Sequence, residues 1–218
     1  MLGVYALCGK LFESPLEEDP MSRTEVSSLF SPRNLVLCAM IAFAAGYRLL
    51  VHFSAGALPW NFTPVEAMAL FGGAYFADRR LGVVVPLIAM IAADCVIALT
   101  VPPAWVRDWL GTLPFVYGCI ALTAVGGFAL RNKVSAPKVL FGALMSAVLF
   151  FLITNFATWL TARPGAGAAC TSTLAACYVA GIPFFKGTLY GTLFWSALLF
   201  GGFALLSRRW SALRVAAA

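Results

Sequence analysis

Charge is what this sequence has least of. Asp, Glu, Lys and Arg make up 11% of its 218 residues, whereas a soluble domain carries roughly 25%. With 61% hydrophobic residues and a mean hydropathy of +0.89, the chain lacks the polar surface a water-facing globule needs. The scarcity is also uneven. No charged residue occurs from Trp109 to Leu130 or from Val139 to Ala162. A membrane helix takes ~20 mostly apolar residues to cross a hydrocarbon core of ~30 Å, and both runs meet that length. Repeated segments of this kind argue against the alternative, a buried helix in a soluble core.

Other absences remove whole classes of function. The one histidine is His52, and Cys8, Cys38, Cys95 and Cys119 are far apart with no Cys-x-x-Cys pair, so no zinc site is expected. There is no Gly-rich phosphate loop, no Ser/His/Asp grouping and no His-Glu-x-x-His element. An ATP-driven pump built from this chain alone is therefore excluded. The net charge of +6 is spread too thinly for nucleic acid to be a partner. No repeat relates the two halves, which argues weakly against an inverted-repeat transporter.

What is present reads as an all-α membrane protein with six transmembrane helices and both termini cytoplasmic. Residues 1–33 carry Glu13, Glu17, Glu18 and Asp19 and a polar Ser/Thr stretch. They lack the pattern of a secretory signal and are expected to form a mobile cytoplasmic tail, with Met21 an alternative start. The transmembrane domain is expected over 34–207, followed by a basic cytoplasmic tail, 208–218.

Within that domain the spans are predicted at Asn34–His52, Pro64–Ala77, Leu81–Val101, Leu113–Leu130, Val139–Leu160 and Gly187–Leu206. The second is short for a crossing. Pro102 and Pro103 end the third, and an aromatic loop from Trp105 to Trp109 suits the membrane interface. Thr161 to Lys186 is expected as a long loop, with a surface helix near Thr171–Ala180. Cys170 and Cys177 in that loop can pair if it faces an oxidising compartment. Placing the N-terminus inside puts Lys10, Arg23, Arg33, Arg79, Arg80, Arg131, Lys133, Lys138, Arg208, Arg209 and Arg214 on the cytoplasmic side. Arg48, Arg107, Arg163 and Lys186 are left outside, a positive-inside bias.

Intramembrane polar groups are costly and face protein or water rather than lipid. Asp94, Cys95, Tyr117, Cys119, Thr154, Asn155 and Glu66 are such groups, and all fall in the outer half. They suggest a pocket open to the outside and roofed by the loops at Asn61 and Tyr178. Each also has a plainer reading. Asp94 and Asn155 can simply tie helices together, Cys119 can fill space, and Glu66 can sit favourably in a first helical turn.

Four stretches occur together: Asn61-Phe62-Thr63-Pro64 with Ala69-Leu70-Phe71-Gly72-Gly73-Ala74-Tyr75-Phe76, Leu113-Pro114-Phe115-Val116-Tyr117-Gly118, Ile153-Thr154-Asn155-Phe156-Ala157, and Tyr178-Val179-Ala180-Gly181-Ile182-Pro183-Phe184-Phe185. In these the chain resembles the S components of energy-coupling factor vitamin transporters, and among them most nearly the solitary cobalamin transporters of Gram-negative bacteria. The resemblance covers about 34–207. It implies vitamin uptake across the bacterial inner membrane, with cobalamin or a related corrinoid as the bound substrate. Other vitamins or small nutrients, and a non-transporting assembly subunit, are the alternatives.

By the same resemblance Asn61, Phe62, Thr63, Tyr117, Asn155 and Tyr178 would line the pocket. The thiolate of Cys95, a soft donor suited to a transition metal, would bind cobalt and assist decyanation of cyanocobalamin, the one catalytic role in prospect. Cys119 and His52 are fallback ligands. S components also carry an Ala-x-x-x-Ala face on the first helix for an energy-coupling module. Here Cys38, Ala42 and Gly46 keep the spacing but change the residues, leaving open whether such a module is a partner.

Overall fold

A computed structural model describes residues 30–54, 56, 61–162 and 168–214, with the backbone alone for 103–109 and 168. Seven α-helices and no strand occur among the described residues: α1 (Pro32–Phe53), α2 (Val65–Tyr75), α3 (Arg79–Ala98), α4 (Pro103–Gly127), α5 (Ala136–Thr161), α6 (Ala168–Ser172) and α7 (Leu174–Arg209). Single 3-10 turns follow α4 at Phe128–Leu130 and α7 at Ser211–Leu213. Five helices are long and apolar enough to cross a membrane, namely α1, α3, α4 from Leu110, α5 and α7. The protein is an all-α, multi-pass membrane protein.

The remaining expected span is different in kind. α2 has 11 residues and so a length of about 16 Å at ~1.5 Å per residue, half of what a crossing needs. Every residue from Val65 to Ala74 is buried, as expected of a helix apolar all round. α2 packs against α1, α3, α4, α5 and α7 and forms the axis of the bundle. Lipid tails are as apolar as the side chains, so close packing rather than water exclusion holds membrane helices together. Glycine supplies that closeness here. A Cβ on Gly73 would fall 1.9 Å from the Ala124 carbonyl oxygen, and one on Gly127 would fall 2.5 Å from that of Leu70. On the other side, a Cβ on Gly72 would meet the Pro86 ring at 2.7 Å.

Two arginines close the C-terminal end of α2. Arg131 donates from Nε to the Gly73 carbonyl at 2.8 Å and from Nη1 to that of Ala77 at 3.1 Å. Arg33 donates to the Tyr75 carbonyl at 2.8 Å and also to that of Leu213. A helix C-terminus carries free carbonyls and partial negative charge, both of which a guanidinium satisfies. Arg131 rests on the Phe128 ring, 4.4 Å from its centroid.

Several boundaries differ from the sequence reading. Residues 1–29 lie outside the described residues, but Pro32 and Arg33 belong to α1, because Ser31 caps it by accepting from the Asn34 N–H at 3.3 Å. The aromatic loop expected at Trp105–Trp109 is instead the first part of α4, for which Pro103 supplies a compatible start. The surface helix expected at Thr171–Ala180 is divided. Its first residues end α6, and the rest open α7, where Thr173 caps the helix through the Ala176 N–H at 3.1 Å. α7 then runs 36 residues through Pro183 without breaking; neighbouring helices let membrane helices absorb such a residue. Residues 208–214 are no loose tail. α7 includes Arg208 and Arg209, Leu213 is 1% exposed, and Arg214 donates to the Ser207 and Arg208 carbonyls.

Candidate functional site

The bundle has a basic end, with Arg33, Arg79, Arg131 and Arg208, and an opposite end where Cys170 and Cys177 form a disulfide. A cavity of about 290 Å³ lies between α5 and α7 toward the disulfide end. Phe150, Phe151, Phe184 and Phe185 give it apolar walls, and Asn61, Thr154, Asn155, Thr158 and Thr188 bring polar groups. Among the described residues no charged side chain lines it. Both disulfide cysteines do, so the cross-link that ties α6 to α7 also forms part of the wall.

Local geometry explains how these residues reach it. Asn61 has φ 57°, a left-handed conformation that Asn adopts more readily than bulkier residues. The turn continues with the Thr63 N–H donating to the Asn61 carbonyl at 2.9 Å. Irregular backbone of this kind survives beside membrane helices only where protein covers it. Gly191 provides that cover, since a Cβ there would lie 2.8 Å from the Thr63 nitrogen. On α5, Asn155 donates from Nδ2 to the Phe151 carbonyl at 2.8 Å. Its Oδ1 is left over Gly181, where a Cβ would come within 2.3 Å.

The expected site residues are thus only partly brought together. Asn61 and Asn155 line the cavity. Tyr178 supports its wall, with its ring 5.7 Å from Phe151 and its hydroxyl donating to the Leu152 carbonyl at 2.9 Å. Phe62 packs elsewhere on α7, 5.5 Å from the Phe194 ring and 6.2 Å from Tyr47.

Tyr117 belongs to a separate cluster. It donates to Asp94 Oδ2 at 3.0 Å, while Arg48 donates to Oδ1 from Nε at 3.1 Å and from Nη2 at 2.8 Å. α1, α3 and α4 are thereby joined through one carboxylate, the tying role that was one of two readings for Asp94. Arg48, counted from sequence among the outer charges at the end of the first span, is a residue of α1. His52 pairs with Thr100 at 2.9 Å, and Cys119 is buried.

Cys95 does not stand in the cavity. The exposed residues of α3 include Val84, Ile88, Ile91 and Val96, and Cys95 is exposed among them. Consecutive helical residues point about 100° apart, so a helix that buries Asp94 turns Cys95 outward. The thiol expected partway down a pocket is on the outer face of the bundle.

Two cavity features escaped the sequence reading. One is the aromatic wall, because Phe is too common in membrane helices to mark a site. The other is Thr188, whose spacing to Thr192 and Ser196 was the available signal.

A buried helical axis, five surrounding spans and a lined cavity define the class: a polytopic helical membrane protein with a cavity between two of its helices. Within that class the chain belongs to a family of unknown function, DUF6580, whose model matches residues 28–213. No curated protein and no solved structure matches it.

Proposed function

We propose that the chain is an S-component-like uptake protein of the bacterial cytoplasmic membrane that binds a small, uncharged nutrient between α5 and α7. The observation that carries this reading is the cavity itself. Ligand sites are concave, mostly apolar and fitted with a few convergent polar groups, and the Phe walls with Asn61, Asn155 and Thr154 have that make-up. The described lining, which holds amide and hydroxyl groups and no charged side chain, favours a neutral ligand. An aromatic ring would find partners in Phe151 and Phe185, whose centroids are 4.8 Å apart.

The basic end is taken as cytoplasmic on the positive-inside rule. The Cys170–Cys177 disulfide supports the same orientation, because such bonds persist in oxidising compartments. Exposed Ala42 and Gly46 on α1 leave a small-residue face free for a coupling subunit.

Cobalamin is the less favoured substrate. Drug-sized ligands fill pockets of ~300–1,000 Å³; the cavity measures about 290 Å³, and a corrinoid is larger than such ligands. The outward position of Cys95 also weighs against a cobalt ligand there. Mass spectrometry of small molecules released from the purified protein tests the assignment. A compact neutral compound, lost in Asn155→Ala, is the expected result. A corrinoid, or no ligand together with no thermal shift across a panel of vitamins, overturns it.

A further inference from the structure

Thr188, Thr192 and Ser196 recur every fourth residue on α7 and are 5%, 0% and 2% exposed. Such spacing stacks side chains on one helical face. The upper member, Thr188, lines the cavity at the disulfide end. The lower, Ser196, lines a second cavity of about 530 Å³ between α5 and α7 at the basic end, together with Tyr75, Ser135 and Arg208. Between them Thr192 donates to Glu66 Oε2 at 3.2 Å. A row of hydroxyls with one carboxyl group at its middle therefore runs between two cavities that lie toward opposite ends of the bundle.

Glu66 is 2% exposed, and its Oε1 has no hydrogen-bond partner among the described residues; the same holds for Oγ of buried Ser196. Burying an ionised carboxylate with one neutral hydrogen bond is costly, and intramembrane carboxyl groups commonly mark proton relays. Facing Glu66 are Arg48 of α1, already held by Asp94 of α3, and Cys119 of α4. Thr192 faces it from α7, and the lysine of α5, Lys138, is at the opposite end of that helix from the first cavity.

We propose that this row is a proton path through the chain, with Glu66 as the proton-carrying group. A hydroxyl accepts a proton on a lone pair and gives up the one it held, so the row passes charge without changing composition. Successive members are about 6 Å apart along the helix, a gap that one water bridges. The step is a proton transfer alone: Glu66 gains a proton from one side and releases one to the other. The inference adds a proton route to the proposed uptake role and relies on that reading only for its purpose.

The full chain reconstituted in liposomes provides the test, with no nutrient added, so that failure here leaves nutrient binding unaffected. A potassium diffusion potential drives protons, and an entrapped pH-sensitive dye reports them. Flux above that of protein-free liposomes is expected, lost in Glu66→Gln and largely lost in Thr192→Val, a substitution of similar size that leaves the carboxyl group in place. Infrared difference spectra should show a carboxylic-acid carbonyl band that shifts in D₂O and disappears in Glu66→Gln. Wild-type flux equal to that of protein-free liposomes, or a band unchanged in Glu66→Gln, overturns the proposal.

Discussion

Asp94 accepts both hydrogen bonds from Arg48 on a single oxygen, Oδ1, which leaves Oδ2 for the hydroxyl of Tyr117. Asp94 is 4% exposed and Arg48 20%, so each depends on the other for compensation away from water. Breaking a buried pair by removing one partner costs ~3–5 kcal/mol. Asp94→Ala is expected near ~3 kcal/mol, at the low end because the arginine retains some solvent. The Arg48→Ala, Asp94→Ala double variant should lose less than the two single losses added. Unfolding of detergent-solubilised protein measures the set, and strict additivity would contradict the pairing.

The glycines of the central crossing give a sharper contrast. The Ala124 carbonyl oxygen lies 1.9 Å from the place a Cβ on Gly73 would take, so Gly73→Ala must push α2 off α4. Loss of folded protein on size-exclusion chromatography is expected. Gly46→Ala adds its methyl group to open space. It should be neutral or stabilising by up to ~1 kcal/mol, the helix-propensity difference.

Arg131 can be tested through the carbonyls it serves. Arg131→Ala leaves the carbonyls of Gly73 and Ala77 without their donor, at a cost of ~1–3 kcal/mol for the buried Gly73 group and little for the exposed Ala77 one. Arg131→Lys should recover only part of that loss, since an ammonium lacks the planar fork that reaches both oxygens. Thermal unfolding that is equal for the two variants would refute the capping role.

The cavity makes a prediction that separates it from the cysteine. Gly181→Ala places a methyl group 2.3 Å from Asn155 Oδ1, which must displace that side chain and reduce binding of whatever small molecule co-purifies. Cys95→Ala changes an exposed residue outside the cavity. It should leave the bound molecule unchanged and shift stability within about ±0.5 kcal/mol. Altered ligand content in Cys95→Ala would restore the thiol to the site.

Cross-linking at the cavity mouth can be weighed as well. Cys170 and Cys177 close a loop of sequence separation 7, and a bridge of that size is worth about 2 kcal/mol by chain entropy. Cys170→Ser with Cys177→Ser should therefore lower the unfolding temperature in non-reducing buffer and have little effect once reductant is present. An equal difference in both buffers would mean that the bond is not formed.

Long apolar runs made the five spanning helices legible, because a bilayer admits few other solutions for 20 or more apolar residues. The Ser31, Asp78 and Thr173 caps are local features, whereas the loop expected over Thr161–Lys186 is largely helix because α7 continues through Pro183 among neighbouring helices. Asn155 was marked as a polar residue within an apolar run, whereas Asn61 was named from the loop expected to roof the pocket and from the family resemblance. Cys95 was misplaced by assigning depth without direction. Depth follows from counting residues, but direction requires knowing which side of α3 meets α1 and α4.

Read from residues alone, then, this is a helical membrane protein with long apolar segments and identifiable polar residues within them, and one of the six expected spans, Pro64–Ala77, is not long enough to cross. Tertiary structure decided the rest: that α2 is a buried axis, that Asp94 holds Arg48, and that Glu66 joins a row of hydroxyls on α7. Hydrophobicity is summed along the chain and can be read there. Which faces meet depends on glycine-scale contacts between helices distant in sequence, and those exist only once the bundle has formed.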